Sequence, residues 1–373
     1  MKLKSNLTDQ LSKADKLFKN EAISEFGIPI YNPESHYLEL AKSKYYWALL
    51  TFRHCLKASS DQYFSVDVGA TNIDLFMMTP SVSSPMGPGS DSEAIPIKFG
   101  DLTTFLVDSS QFGFEPLLIN NFDKVYCYLP SMRGEDHDKR HLNQFYHCEA
   151  EIRGELSDLI PIVEKYIKIL TETLKALPNL TEKISANMST TDSVIEAIMS
   201  AEKFPMITFD EAVALLVENR HQSLVNNTEH GRDITSYGEI ILSKILGLKT
   251  PFWVYGYDRG RVAFYQKPDP NNLDKVINAD LIFPPLFEGA FGGEIVGCGQ
   301  RQDNKSEILE SLRIQNISSE PYGWYINLRE LPEYKTTSGF GLGIERFITW
   351  VLGHDDIRNS IPYPRLKNVL TLP

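Results

Sequence analysis

Cysteine is scarce in this chain and never paired in sequence. Only Cys55, Cys127, Cys148 and Cys298 occur among 373 residues, with no Cys-x-x-Cys spacing. That argues against a disulfide framework or a cysteine-rich zinc module, and it fits a reducing cytoplasm. Basic charge is also short. Lys and Arg total 37 against 49 Asp and Glu, a formal net charge of −12. With no basic run, a broad nucleic-acid-binding face is not expected, and only a local patch remains for such contacts. Long apolar runs are missing: nothing approaches about 18 consecutive apolar residues, so no membrane span is expected. The polar start, Met1 to Asn6, does not read as a secretory leader. Internal repeats and low-complexity tracts are absent as well. What is present is a composition 42% hydrophobic and 11% aromatic, enough for a substantial core in one large domain or two modest ones.

Residues 1–33 are charged and mixed, with a short helix expected near Asp9–Phe18. Residues 34–57 carry helical periodicity through Tyr37, Leu38, Leu40, Ala41, Tyr45, Tyr46, Ala48, Leu49 and Phe52. A strand-like segment ends at Phe76–Thr79 before Pro80, and residues 81–94 read as a Ser-, Gly- and Pro-rich loop. Val125–Met132 and Gln144–Ile152 have strand content and flank a turn rich in Asp, His and Gly, which predicts a hairpin. Residues 154–220 read as a helical insert, with helices at Leu156–Leu177 and Glu182–Phe204. A capped helix is expected at Thr208–Glu218, where Thr208 and Glu211 have capping-box spacing. Strands follow at Pro251–Tyr257, Arg261–Lys267, Lys275–Phe283 and Glu294–Gln302. This order predicts an α+β fold: a mostly antiparallel sheet of about six strands flanked by helices.

The chemistry concentrates in two segments. Residues 338–346 read Ser-Gly-Phe-Gly-Leu-Gly-Ile-Glu-Arg, followed by Gly353, Ile357-Arg358 and Ile361-Pro362-Tyr363-Pro364-Arg365. Alternating glycines let a backbone pass close to a ligand or to a neighbouring strand. Arg346 falls at a strand-to-helix junction, where a guanidinium can meet a phosphate. Glycine alternation alone fits plain close packing too, but the whole run resembles motif 3 of class II aminoacyl-tRNA synthetases, in their asparaginyl/aspartyl branch. Residues 125–151 resemble motif 2 of the same family through Arg133-x-Glu135, Arg140-His141, Phe145, Glu149 and Glu151. The helix at 34–57 and the strand ending in Thr79-Pro80 are laid out like motif 1, the family's dimer-forming motif.

The resemblance implies a class II catalytic domain over 34–373, with 1–33 as an extension and about 154–220 as a helical insert. It implies a homodimer, and ATP and Mg²⁺ used to activate an Asp- or Asn-like amino acid as its adenylate. In that scheme Arg133 and Arg346 hold the phosphates, and Glu135, His141 and Phe145 take the adenine side and the γ-phosphate. Glu294 and Asp280 bind the metal, with Glu288 as an alternative because the spacing between 280 and 294 exceeds the family's. Ser109, Gln111, Glu149 and Arg301 take the amino acid, Glu149 at the α-ammonium and Arg301 at the side-chain carbonyl. Phe114 and Thr337 depart from the family around this pocket and leave the exact acid open. Too few residues precede the first core helix for an anticodon-reading OB-fold. The expected acceptor is therefore ammonia or a small amine, as in the archaeal asparagine synthetase related to asparaginyl-tRNA synthetase. The alternatives are an asparaginyl- or aspartyl-type tRNA ligase and a noncatalytic amino-acid- or nucleotide-sensing paralogue.

Overall fold

The computed structural model describes residues 2–83 and 92–372. Its centre is an eight-stranded sheet. In chain order the strands are β1 (Thr71–Asn72), β2 (Lys124–Met132), β3 (Gln144–Arg153), β4 (Met206–Thr208), β5 (Phe252–Tyr255), β6 (Asn278–Phe283), β7 (Gly293–Gln300) and β8 (Thr337–Gly343). The spatial order is β1-β2-β3-β8-β7-β6-β5-β4. Every pairing is antiparallel except the two outermost, β1 with β2 and β5 with β4. The α+β expectation holds, with eight strands rather than about six.

The period of two explains the glycine-rich strand. Successive residues of a strand point to opposite faces. Along β8, Phe340 and Leu342 enter the main core, while Gly339, Gly341 and Gly343 lie on the other face. Phe340 and Leu342 share that core with Tyr126, Tyr166, Val296, Phe347 and Trp350. The core is closed by the helices Lys44–Gln62, Leu156–Lys175 and Ile344–Val351, labelled α2, α3 and α4. The first helix, α1 (Lys2–Lys16), is longer than the short one expected. Leu11, within α1, and Phe18, just after it, join the same core.

The hairpin β2–β3 matches its expected bounds to within one residue, and the Thr208/Glu211 capping box forms. Other expectations are corrected. The segment Arg261–Lys267 is not a strand: apart from one bridge between Gln266 and Arg301, it loops. Its consecutive Phe264 and Tyr265 both bury in an aromatic cluster with Phe112, Tyr322 and Tyr325, which a two-residue period forbids. The strand before Pro80 shrinks to Met78–Thr79 and pairs in a separate three-stranded sheet. The helix Ser236–Leu246 was not expected. Most of the loop at 81–94 lies outside the described residues. Among the described residues no helix is long and apolar enough to cross a membrane.

Candidate active site

The register of the sheet builds a floor. One row across the strands reads Glu149, Gly341, Gly297, Asp280. Two glycines thus separate two carboxylates and leave the space between them open. A Cβ on Gly297 would stand 3.4 Å from both Asp280 Oδ1 and Glu294 Oε1. Glu294 reaches this face because a bulge shifts the β6–β7 register between Leu281 and Ile282. Without that shift its parity in the strand would turn it into the core.

Three cavities that share lining residues lie over the floor. The largest, about 610 Å³, is lined by Arg133, Glu135, His141, Glu239, Asp280, Glu294 and Arg346, among others. A second, about 110 Å³, adds Phe145, His147 and Arg140. The third, about 210 Å³, is lined by Ser109, Gln111, Glu149, Arg301 and the glycines of the floor. Arg133 and Glu294 line all three. The candidate residues, spread from 109 to 346 in sequence, therefore converge.

Each is held by specific neighbours. Asn143 Nδ2 donates to the carbonyls of Arg133 and Glu135 at 2.8 and 2.7 Å, which closes the hairpin tip. The Arg133 guanidinium lies 5.4 Å from the centre of the Phe145 ring, and its Nε is buried with no protein partner among the described residues. Glu135 accepts the backbone N–H of Glu93 at 3.3 Å. His141 Nδ1 is 2.9 Å from Asp138. Burial, then Arg346, lowers the His141 pKa. Arg346 donates to Glu294 at 2.9 Å. Burial alone would raise Glu294, but Arg346, Arg133 and Arg140 outweigh it and hold the carboxyl below its ordinary range.

Around the third cavity, Glu149 accepts from Ser109 Oγ and from Ser110 N–H, the latter at 2.8 Å. Burial pushes its pKa up to about 7. Gln111 Nε2 is buried without a protein partner among the described residues, as a group awaiting a ligand would be. Arg301 donates to Glu151 through Nε and a terminal nitrogen at 3.2 and 3.1 Å, and both side chains are almost fully buried. Thr337 Oγ1 donates to the same Glu151 at 2.8 Å. Phe114 packs with Leu118, Val125 and Cys127 and lines none of the three cavities. Glu288 is exposed on its loop and lines none of them either.

Four further residues belong to the site that the sequence reading left without a role: Arg140, His147, Glu151 and Glu239. Glu239 accepts the backbone N–H of Glu294 at 2.9 Å. Burial and then Glu294 push its pKa up to about 7, and burial, Glu294 and Glu239 push Asp280 well up. Three carboxylates thus repel one another beside arginines. A hard dication would relieve that repulsion, so the donor set fits Mg²⁺. Among the described residues no group of three or more His, Cys, Asp or Glu side chains is arranged to hold a metal ion by itself. A helix prediction over 236–246 would have exposed Glu239 as a candidate.

A floor of glycines between carboxylates, with arginines on a hairpin and at a helix start, is the arrangement expected of one family. Residues 32–367 match the family of tRNA synthetases class II (D, K and N). The chain belongs to the class II aminoacyl-tRNA synthetases. That family comprises ATP-dependent, aminoacyl-adenylate-forming ligases. The chain is 32% identical over 277 residues to the asparagine--tRNA ligase of Thermococcus gammatolerans, covering 74% of this chain and 60% of that protein. It is 30% identical over 364 residues to the asparagine--tRNA ligase of Pyrococcus abyssi, covering 94% of this chain and 77% of that one. The asparaginyl-tRNA synthetase of Pyrococcus horikoshii complexed with asparaginyl-adenylate superposes with a TM-score of 0.79 at 27% identity, covering 93% of this chain and 76% of that one.

These synthetase relatives correct the expectation of transfer to ammonia or a small amine. They are named tRNA ligases and match across most of the chain. The expectation rested on net charge and on chain length before the first core helix. Neither reports on an acceptor that meets the protein at a local site.

Proposed function

We propose that this synthetase activates asparagine with ATP as asparaginyl-adenylate and transfers it to tRNA. The observation that carries the choice of amino acid is the buried Arg301–Glu151 pair, in which Arg301 lines the amino-acid cavity and Glu151 pairs with it from behind the lining. Arg301 alone would favour a carboxylate. With Glu151 already neutralising it, an aspartate side chain would add an unpaired buried charge, which is costly. A neutral carboxamide instead supplies a carbonyl for Arg301 and adds no charge. The names of the relatives support the same reading.

In this reading Glu149 takes the α-ammonium, while Ser109 and Gln111 lie beside the substrate's carboxylate. Arg133 and Arg346 grip the phosphates from two sides and strengthen as charge builds in the transition state. Phe145 stacks on adenine, Glu135 reads its edge, and His141 faces the outer phosphate. Glu294 and Asp280, with Glu239 behind them, would hold Mg²⁺, which neutralises phosphate charge when bound. Residues 34–373 act as the catalytic unit, with 1–33 as an extension and about 154–220 as an insert. A homodimer is part of the same reading. It is supported by an apolar groove at Phe76, Met78, Pro80, Phe112 and Trp324 beside the strand before Pro80. Because a tRNA ligase works where translation takes place, the cytoplasm is its proposed location.

The test is ATP–pyrophosphate exchange across the twenty amino acids, followed by charging of tRNA. Asparagine should exceed aspartate by about 10²-fold in kcat/KM, the discrimination a mispaired buried charge supports. Preference for aspartate, or strong exchange with no charging, would overturn the proposal.

A further inference from the structure

The residues of β3 that face the cavities form a ruler. Phe145, His147 and Glu149 take alternate positions along the strand, about 6.8 Å apart, and line the cavities. Phe145 sits on the nucleotide side and Glu149 on the amino-acid side. His147 falls between them. It lines both the second and the third cavity, a position shared among the described residues only with Arg133, Glu294 and Gly341. If the site is the tRNA ligase proposed above, this is where the acyl–phosphate bond forms and is later cleaved.

The imidazole is oriented. Nδ1 lies 2.9 Å from Ser131 Oγ and 3.4 Å from Glu149 Oε1. A carboxylate oxygen on that side favours the proton on Nδ1. The lone pair then sits on Nε2, which has no protein partner among the described residues. The ring is 13% exposed and packs edge-on against Phe145.

From this geometry we infer that His147 is the general base of the transfer half-reaction. The acceptor hydroxyl oxygen attacks the acyl carbon and its proton passes to Nε2. The acyl–oxygen bond to phosphate breaks and AMP leaves as the phosphate anion. The imidazolium, facing Arg133 and Arg346 with Glu149 at its Nδ1 side, returns the proton to solvent. Activation needs no such base, because a carboxylate attacks phosphorus and no proton moves. The electrostatics agree: burial, then Arg133 and Arg346, keep the His147 pKa well below its ordinary value, so the ring is free to accept at neutral pH.

The test is His147→Gln in the full chain. Single-turnover transfer to tRNA should fall about 10²-fold or more, and at least about tenfold further than pyrophosphate exchange. Hydroxylamine, a nucleophile already neutral at neutral pH, should consume the preformed adenylate equally fast in both proteins. The acid limb of the wild-type transfer profile should vanish in the variant. Ser131→Ala, which frees Nδ1, should slow transfer by about tenfold. Unchanged transfer, or exchange and transfer lost in parallel, would overturn the assignment. A wild-type chain that neither exchanges nor charges tRNA would instead refute the proposed function.

Discussion

If the proposed function holds, substrate choice turns on Glu151. Replacing it by Gln removes the charge that balances Arg301 but keeps the size of the side chain. Arg301 then regains an unpaired positive charge, and exchange with aspartate should rise about tenfold or more relative to asparagine. The ratio of kcat/KM for the two amino acids checks this, and an unchanged ratio would count against Glu151 as selector. The glycines of β8 set a second, steric requirement. A Cβ on Gly339 would collide with the Arg301 guanidinium and stand 2.7 Å from Glu151 Oε2, whereas one on Gly343 would meet only the Arg346 side chain at 3.5 Å. Gly339→Ala should therefore lose about 10²-fold in exchange while Gly343→Ala keeps most of it, since displacement of a positioned group by about an ångström has that effect. Melting temperatures of both variants separate misplacement from unfolding.

At the scale of elements, one ion pair ties three of them together. Glu345, in the first turn of α4, accepts the Tyr146 N–H of β3 at 2.8 Å. It also meets Arg53 of α2 at 2.7 Å, as an ion pair rather than a well-aligned hydrogen bond. Arg53 in turn donates to the Ser360 carbonyl at 2.7 Å. The pair is buried and adjoins both Arg346 and Phe145, so it braces the two sides of the second cavity. Arg53→Met leaves Glu345 as an uncompensated buried charge and should cost about 3–5 kcal/mol. Adding Glu345→Gln, which keeps an acceptor for Tyr146, should recover much of that loss. Urea unfolding of the single and double variants measures both. Equal losses in the two would show that the cost is packing, not charge.

For the whole molecule, the site destabilises the ligand-free fold as pH rises. Glu149 and Glu239 titrate near about 7 in the folded chain, above their ordinary carboxylate range. Between about 4.3 and these values the folded state binds more protons than the unfolded one. Their contribution to stability is thus fully present below the unfolded pKa and is lost as pH rises through the folded one. A substrate ammonium at Glu149 reverses this by favouring the ionised form. The rise in melting temperature on adding asparagine with Mg²⁺–ATP should therefore be larger at about pH 8 than at about pH 6. Equal rises at both would disconnect these carboxylates from ligand binding.

Much of this protein is legible in its sequence because much of its site is local. The hairpin β2–β3 spans a short stretch whose turn composition and strand content set its bounds. The glycine strand and Arg346 follow in one continuous run. Arg133, Phe145, Glu149 and Arg346 could therefore be singled out through the resemblance of these two runs to family motifs. The tertiary structure decided what depends on packing between distant segments. Only the sheet register brings Glu149 and Asp280 into one row across two glycines, and only the bulge near Ile282 turns Glu294 to face them. Only the fold brings Glu239 to Glu294, Glu151 to Arg301 and Arg53 to Glu345. Sequence periodicity shows which face a side chain takes within its own element. It carries no information on which charge from another element will meet that side chain, and those meetings set the pocket's net charge and hence the substrate it fits.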